Sequence, residues 1–208
     1  MSRTEKILDQ LASEGGTRDT GYAWRFALPL VIVLAAACAA VALIIDGAFA
    51  GVAIAGLGPI LVKWGFSLTL VLLAPVALWT LGRPGRKSGW ILPALTLPFA
   101  LIFGDLVLDL SINAWPFPGE TWPRCLAAMT ILSPLAFAGA TFAMRVLAPV
   151  KLRRAGLVAG LFGGAVAMTA YAPFCPERGM LYLAVFYCLP ILAMAGIGWL
   201  MGPKLLRW

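Results

Sequence analysis

Residues 24–45 read WRFALPLVIVLAAACAAVALII, and the twenty positions from Phe26 to Ile45 carry no charge. A helix needs about 20 apolar residues, at about 1.5 Å of rise each, to cross roughly 30 Å of hydrocarbon. The stretch therefore reads as a transmembrane helix, and the same signal recurs five times downstream. The six spans fall at residues 24–45, 63–81, 90–110, 124–147, 156–171 and 181–201. The fifth is the shortest. The apolar stretch 47–61 either prolongs a neighbouring span or lies along the interface. The composition agrees: the chain is 62% hydrophobic and 12% charged, with a mean hydropathy of +0.93. A water-soluble domain of this size would leave too much of that surface in water. The expected fold class is all-α, a polytopic membrane protein with six transmembrane helices over residues 24–208, preceded by a polar tail at residues 1–23.

The basic residues set the expected orientation. Arg3, Lys6, Arg18 and Arg25, then Arg83, Arg86 and Lys87, then Arg145, Lys151, Arg153 and Arg154, and finally Lys204 and Arg207 all fall on one side of the spans. Only Lys63, Arg124 and Arg178 fall on the other. Positive charge collects on the cytoplasmic side, so both termini are expected there. The formal charge of +7 then reads as a topology signal that also favours anionic inner-leaflet lipids, with the bilayer and not nucleic acid as the partner. Trp90, Trp122, Trp199 and Trp208 fall near span edges, as interface anchors do.

Several chemistries lack their residues. The chain has no histidine, which removes imidazole acid–base catalysis and histidine metal or haem ligation. It has no GxxxxGK[ST], GxGxxG or CxxC motif, so nucleotide and thioredoxin-type readings lose their supports. No catalytic residue is assigned, and the chain reads as a non-enzyme with no resident cofactor.

Within the spans, Gly156, Gly160 and Gly164 recur at four-residue intervals, and Gly198 and Gly202 repeat the spacing. One glycine face lets another backbone approach closely, and packing within the six-helix bundle is favoured over dimerisation. Pro29, Pro75, Pro98, Pro134 and Pro190 kink their helices. Asp105 and Asp109 share one face of the third span at i, i+4. Ionisable groups in a span are functional candidates, and the pair offers a cation or proton site, although Asp109 lies within a turn of the boundary where water reaches it.

Four cysteines stand at 38, 125, 175 and 188. Cys38 and Cys188 fall inside spans and read as small packing residues. Cys125 (WPRCL) opens the fourth span, and Cys175 (YAPFCPERG) lies in the loop between the fifth and sixth. The topology puts both thiols on the same non-cytoplasmic face, which is oxidising in a bacterial cell. Two such thiols can form a disulfide or offer two soft ligands to a transient metal ion. A harder or four-coordinate ion would need Glu177, Asp109, Glu120 or water as well. In the tail, Ser2 and Glu5 have capping-box spacing, and Ile7, Leu8 and Leu11 form an apolar stripe, which predicts a short amphipathic helix over about residues 3–13.

Six spans, the tail helix, and the ending Gly202-Pro203-Lys204-Leu205-Leu206-Arg207-Trp208 together resemble the NrsF-type membrane anti-sigma factors. So do Trp122, Cys125 and Pro134 at the fourth span, and Tyr171, Cys175 and Pro176 near the last outer loop. The resemblance runs over nearly the whole chain. It departs at Phe174, where members often carry histidine, and so does not extend to a histidine ligand. It implies an inner-membrane negative regulator that holds an extracytoplasmic-function sigma factor and releases it on heavy-metal or redox stress. Carried over by residue, Cys125 and Cys175 are the sensor thiols. The tail, with Ile7, Leu8 and Leu11, and the basic inner loops grip the sigma factor. Two other classes stand beside this one: a small transporter or channel using Asp105 and Asp109, and a membrane thiol oxidoreductase using the two outer cysteines.

Overall fold

The computed structural model of the chain describes residues 20–45, 50–83, 86–112, 119–147 and 149–207. Among them every regular element is helical. In chain order they are α1 (Thr20–Ile44), α2 (Ala50–Ala55), α3 (Leu57–Leu81), α4 (Ile91–Ile112), α5 (Trp122–Met144) and α6 (Leu152–Tyr171). A short 3₁₀ turn (Ala172–Phe174) follows, and then α7 (Met180–Leu205), which contains a π-helical turn at Ala184–Cys188. Six helices, all but α2, are long and apolar enough to cross a membrane.

Two boundaries differ from expectation. The stretch 47–61 neither prolongs the first span nor lies apart as a whole. Its described part forms α2 and the first turns of α3, joined at Gly56 with φ of 83°, a conformation that suits glycine. Pro59 then stands in the first turn of α3, where a missing N–H costs little. With the helix starting at Leu57, Lys63 lies inside α3 and is buried, not at its edge. The second difference is at α6, which starts at Leu152 and takes Arg153 and Arg154 out of the loop. Arginine is a good helix former, and the Arg153 guanidinium stacks 4.6 Å over the Trp199 ring.

The centre of the bundle is α6, whose span is 89% buried. Its small residues explain why. A Cβ added at Gly164 would sit 2.8 Å from the Ile191 Cα, and Cβ atoms at Gly156 and Gly160 would run into the backbone of Gly198 and Met194. The glycine stripe is therefore the seam between α6 and α7, an intramolecular contact. On another face, a Cβ at Gly163 would come 2.6 Å from the Ser133 carbonyl of α5. In turn α5 receives Val33 of α1 at Gly139. Helix α3 flanks α6, and α4 packs against α3 and α7. The periphery consists of α1 and α4, which leave Val31, Leu43, Leu101 and Val107 exposed, as a lipid-facing surface requires.

The bundle has two unlike ends. Arg83, Arg86, Lys87, Arg145, Lys151, Arg153, Arg154, Lys204 and Arg207 gather where α3, α5 and α7 finish and α4 and α6 begin. The opposite end carries Lys63, Arg124, Arg178, Cys125 and Cys175.

Candidate functional site at the cysteine end

Proline chemistry shapes the loop from α6 to α7. Pro173 sits in the 3₁₀ turn that ends α6, and Cys175, which precedes Pro176, is extended with φ −97° and ψ 111°, the conformation a following proline favours. The result is a short segment, residues 175–179, that reaches back over the neighbouring helix ends.

That segment is tied to every helix around it. From α3 the Lys63 ammonium donates to the carbonyls of Cys175 (2.9 Å) and Glu177 (2.8 Å). The Arg178 guanidinium donates to the Ile54 carbonyl of α2. Oε1 of Glu177 accepts from the N–H groups of Glu120 (3.0 Å) and Thr121 (3.3 Å) and from the Thr121 hydroxyl (3.1 Å). It thereby places negative charge at the start of α5, where the helix dipole favours it. Gly119, at φ 79°, leaves the space: a Cβ there would lie 2.7 Å from the Glu177 carboxyl carbon. From α4, Oδ2 of Asp109 accepts the Met180 N–H at 3.0 Å and caps α7. Five helices thus converge on one short loop.

The two thiols lie within this hub, both buried and both free. Cys125 donates to the Phe186 carbonyl at 3.6 Å. Pro190, four residues on, has no N–H to offer that carbonyl, and a π-turn spans it. Cys175 Sγ lies 4.0 Å from the Thr121 hydroxyl, which is also 3.2 Å from the Tyr182 hydroxyl. Tyr187 is fully buried, and among the described residues its hydroxyl has no hydrogen-bond partner. Trp122, Phe186 and Tyr182 stack alongside, with ring centroids 6.1 and 4.7 Å apart in succession. Both thiols border one cluster, Cys175 at Thr121 and Cys125 at Phe186, with Tyr182 between them.

The other candidates are placed differently. Asp105 is exposed on α4. Asp109 is half-buried and turned to α7, whereas the sequence reading left it to water. Cys188 is buried, but Cys38 is on the exposed face of α1 and does not pack in the core. Among the described residues no three Cys, Asp or Glu side chains converge as a metal-binding group. Glu177 and Asp109, offered above as extra ligands, both serve helix ends. The chemistry the pair offers is a disulfide or a two-sulfur chelate. Ile7, Leu8 and Leu11 lie outside the described residues.

Sequence reasoning missed Lys63, Thr121 and Tyr187. For Lys63 the signal was present: a lone cation after the apolar run Leu57–Val62 lies deep if the helix starts early. The contacts of Thr121 and Tyr187 depend on packing between helices, which no local pattern encodes.

The chain is 38% identical over 153 residues, 71% of each chain, to the probable anti-sigma-F factor NrsF of Azospira oryzae. It is 33% identical over 217 aligned positions, covering 99% of this chain and all of the relative, to the anti-sigma-F factor NrsF of Caulobacter vibrioides. No solved structure matches. The family model described as negative regulator of sigma F matches residues 11–208, and the chain belongs to that NrsF family.

Proposed function

We propose that this chain is an inner-membrane anti-sigma factor that holds an extracytoplasmic-function sigma factor at its basic, cytoplasmic end. Thiol-directed stress at Cys125 and Cys175, at the opposite end, releases it. The observation that carries the reading is the placement of Cys175 in a loop tied to α2, α3 and α5, with Cys125 in the first turn of α5. A bond between the sulfurs would couple α5 to that loop and act on those ties.

Two reactions fit the pair. A soft metal ion displaces both thiol protons and is held by two sulfurs. A two-electron oxidant accepts two electrons, and with the loss of two protons a disulfide joins α5 to the loop. Either draws Cys175 towards Cys125 and strains the Lys63 and Glu177 contacts. Since α6 packs backbone to backbone on α7, the hairpin moves as one body, and its basic end moves with it. This is a rigid-body switch biased from one side of the membrane.

The grip itself is assigned to the tail, through Ile7, Leu8 and Leu11, together with the basic loops. The exposed position of Asp105 and the capping role of Asp109 give the transporter alternative no enclosed ion path to build on. Co-purification of the detergent-solubilised chain with its cytoplasmic partners tests the proposal. A sigma factor is expected in the complex, and its absence from a correctly inserted chain would refute it.

A further inference from the structure

We infer that a groove between α4, α6 and α7 at the basic end binds one anionic phospholipid, its acyl chain lying along the groove and its phosphate among the lysines and arginines at the mouth. The groove encloses about 740 Å³. Leu92, Leu95 and Phe99 of α4 line it, with Leu157 and Leu161 of α6 and Gly196 of α7. From Leu92 to Phe99 it runs about 10 Å along the helix axis, into the depth where the surrounding surface is apolar. A soluble protein segment has no reason to enter hydrocarbon at that depth, whereas a lipid chain is already there.

The mouth is charged. Arg154 lines the groove itself. Leu81 and Ser88 also line a second cleft, of about 400 Å³, which carries Arg83, Arg86, Lys87 and Lys151. Among the described residues no carboxylate lines either cleft. Arg83 is committed to the Trp79 face at 4.0 Å, and Lys151 donates to Ser88 at 2.8 Å, which draws its ammonium to the junction. Basic clefts between transmembrane helices suit anionic headgroups. The width comes from Gly196: unlike Gly198 and Gly202, which meet α6, it has nothing within 4 Å of an added Cβ.

Native mass spectrometry of the purified chain, offered phosphatidylglycerol and phosphatidylcholine with identical acyl chains, tests the inference. Phosphatidylglycerol should be retained in a one-to-one complex, favoured by roughly fivefold for each cation engaged. Gly196→Phe places a ring in the groove from a position where an added Cβ meets nothing within 4 Å, and should reduce retention of both lipids. Gly104→Phe, at another open position, should change neither, and unaltered thermal unfolding of both variants confirms their folds. The double variant Arg154→Gln/Lys151→Gln should lose the preference for phosphatidylglycerol while still retaining lipid. Equal retention of the two lipids by the unmodified chain would overturn the site, as would a Gly196→Phe variant that binds like it. So would displacement by soluble glycerol phosphate, which marks a headgroup-only site, or increased lipid binding on deletion of residues 2–19, which marks the tail as the occupant.

Discussion

At Lys63 a buried ammonium is balanced by two backbone carbonyls, and among the described residues it makes no ion pair. Leaving a buried acceptor unpaired costs about 1–3 kcal/mol, so Lys63→Met should loosen residues 175–177 by about that much for each lost bond. At about 1.4 kcal/mol per tenfold, the two lost bonds should speed maleimide labelling of Cys175 in native detergent by at least about 25-fold, and an unchanged rate would mean the loop is held elsewhere. The cysteines make a second prediction. Cys125→Ser keeps a donor for the Phe186 carbonyl, so the fold should survive. Either single Ser variant should lose the stress response to the extent of the double variant, because one thiol makes neither a bridge nor a chelate. Additive losses, measured with a sigma-dependent reporter, would count against a shared site. The sidedness of these thiols was legible because span number alone decides it. Their shared neighbours, Thr121, Tyr182 and Phe186, were not, because these depend on how α5 meets the α6–α7 hairpin.

The hairpin is where the element scale matters. The four-residue glycine spacing was legible, and so was its use within the bundle, since small residues bring backbones together. The identity of the facing helix was not legible: Gly156, Gly160 and Gly164 face α7, while Gly163, one position away, faces α5. Gly160→Leu should force the Met194 backbone away and destabilise the chain by at least the 1–3 kcal/mol typical of overpacking, whereas Gly196→Leu should be neutral. Thermal unfolding in detergent distinguishes them, and equal effects would mean that the seam is mislocated. Pro190 was read as a kink. Its larger consequence, a carbonyl left for Cys125, needed the partner helix to be seen. The tail has its own test: Leu8→Asp with Leu11→Asp should abolish sigma-factor retention without unfolding the bundle, and full retention would assign the grip to the loops.

For the whole molecule, six spans and one basic end were legible because hydrophobic length and Lys/Arg placement are written directly into the chain. The orientation they imply predicts that a reporter fused after Trp208 is cytoplasmic and one inserted near Glu177 is external; the reverse would undo the sidedness of the sensor. The central claim is that joining two thiols at one end loosens a partner at the other. Phenylarsine oxide tests it directly, since its arsenic forms one bond to each of two neighbouring sulfurs and its oxygen leaves as water. Sigma factor retained on the immobilised, detergent-solubilised chain should elute from the unmodified protein on adding the reagent, and stay bound to the Cys125→Ser and Cys175→Ser variants. Retention by the unmodified protein, or equal elution from all three, would contradict the account.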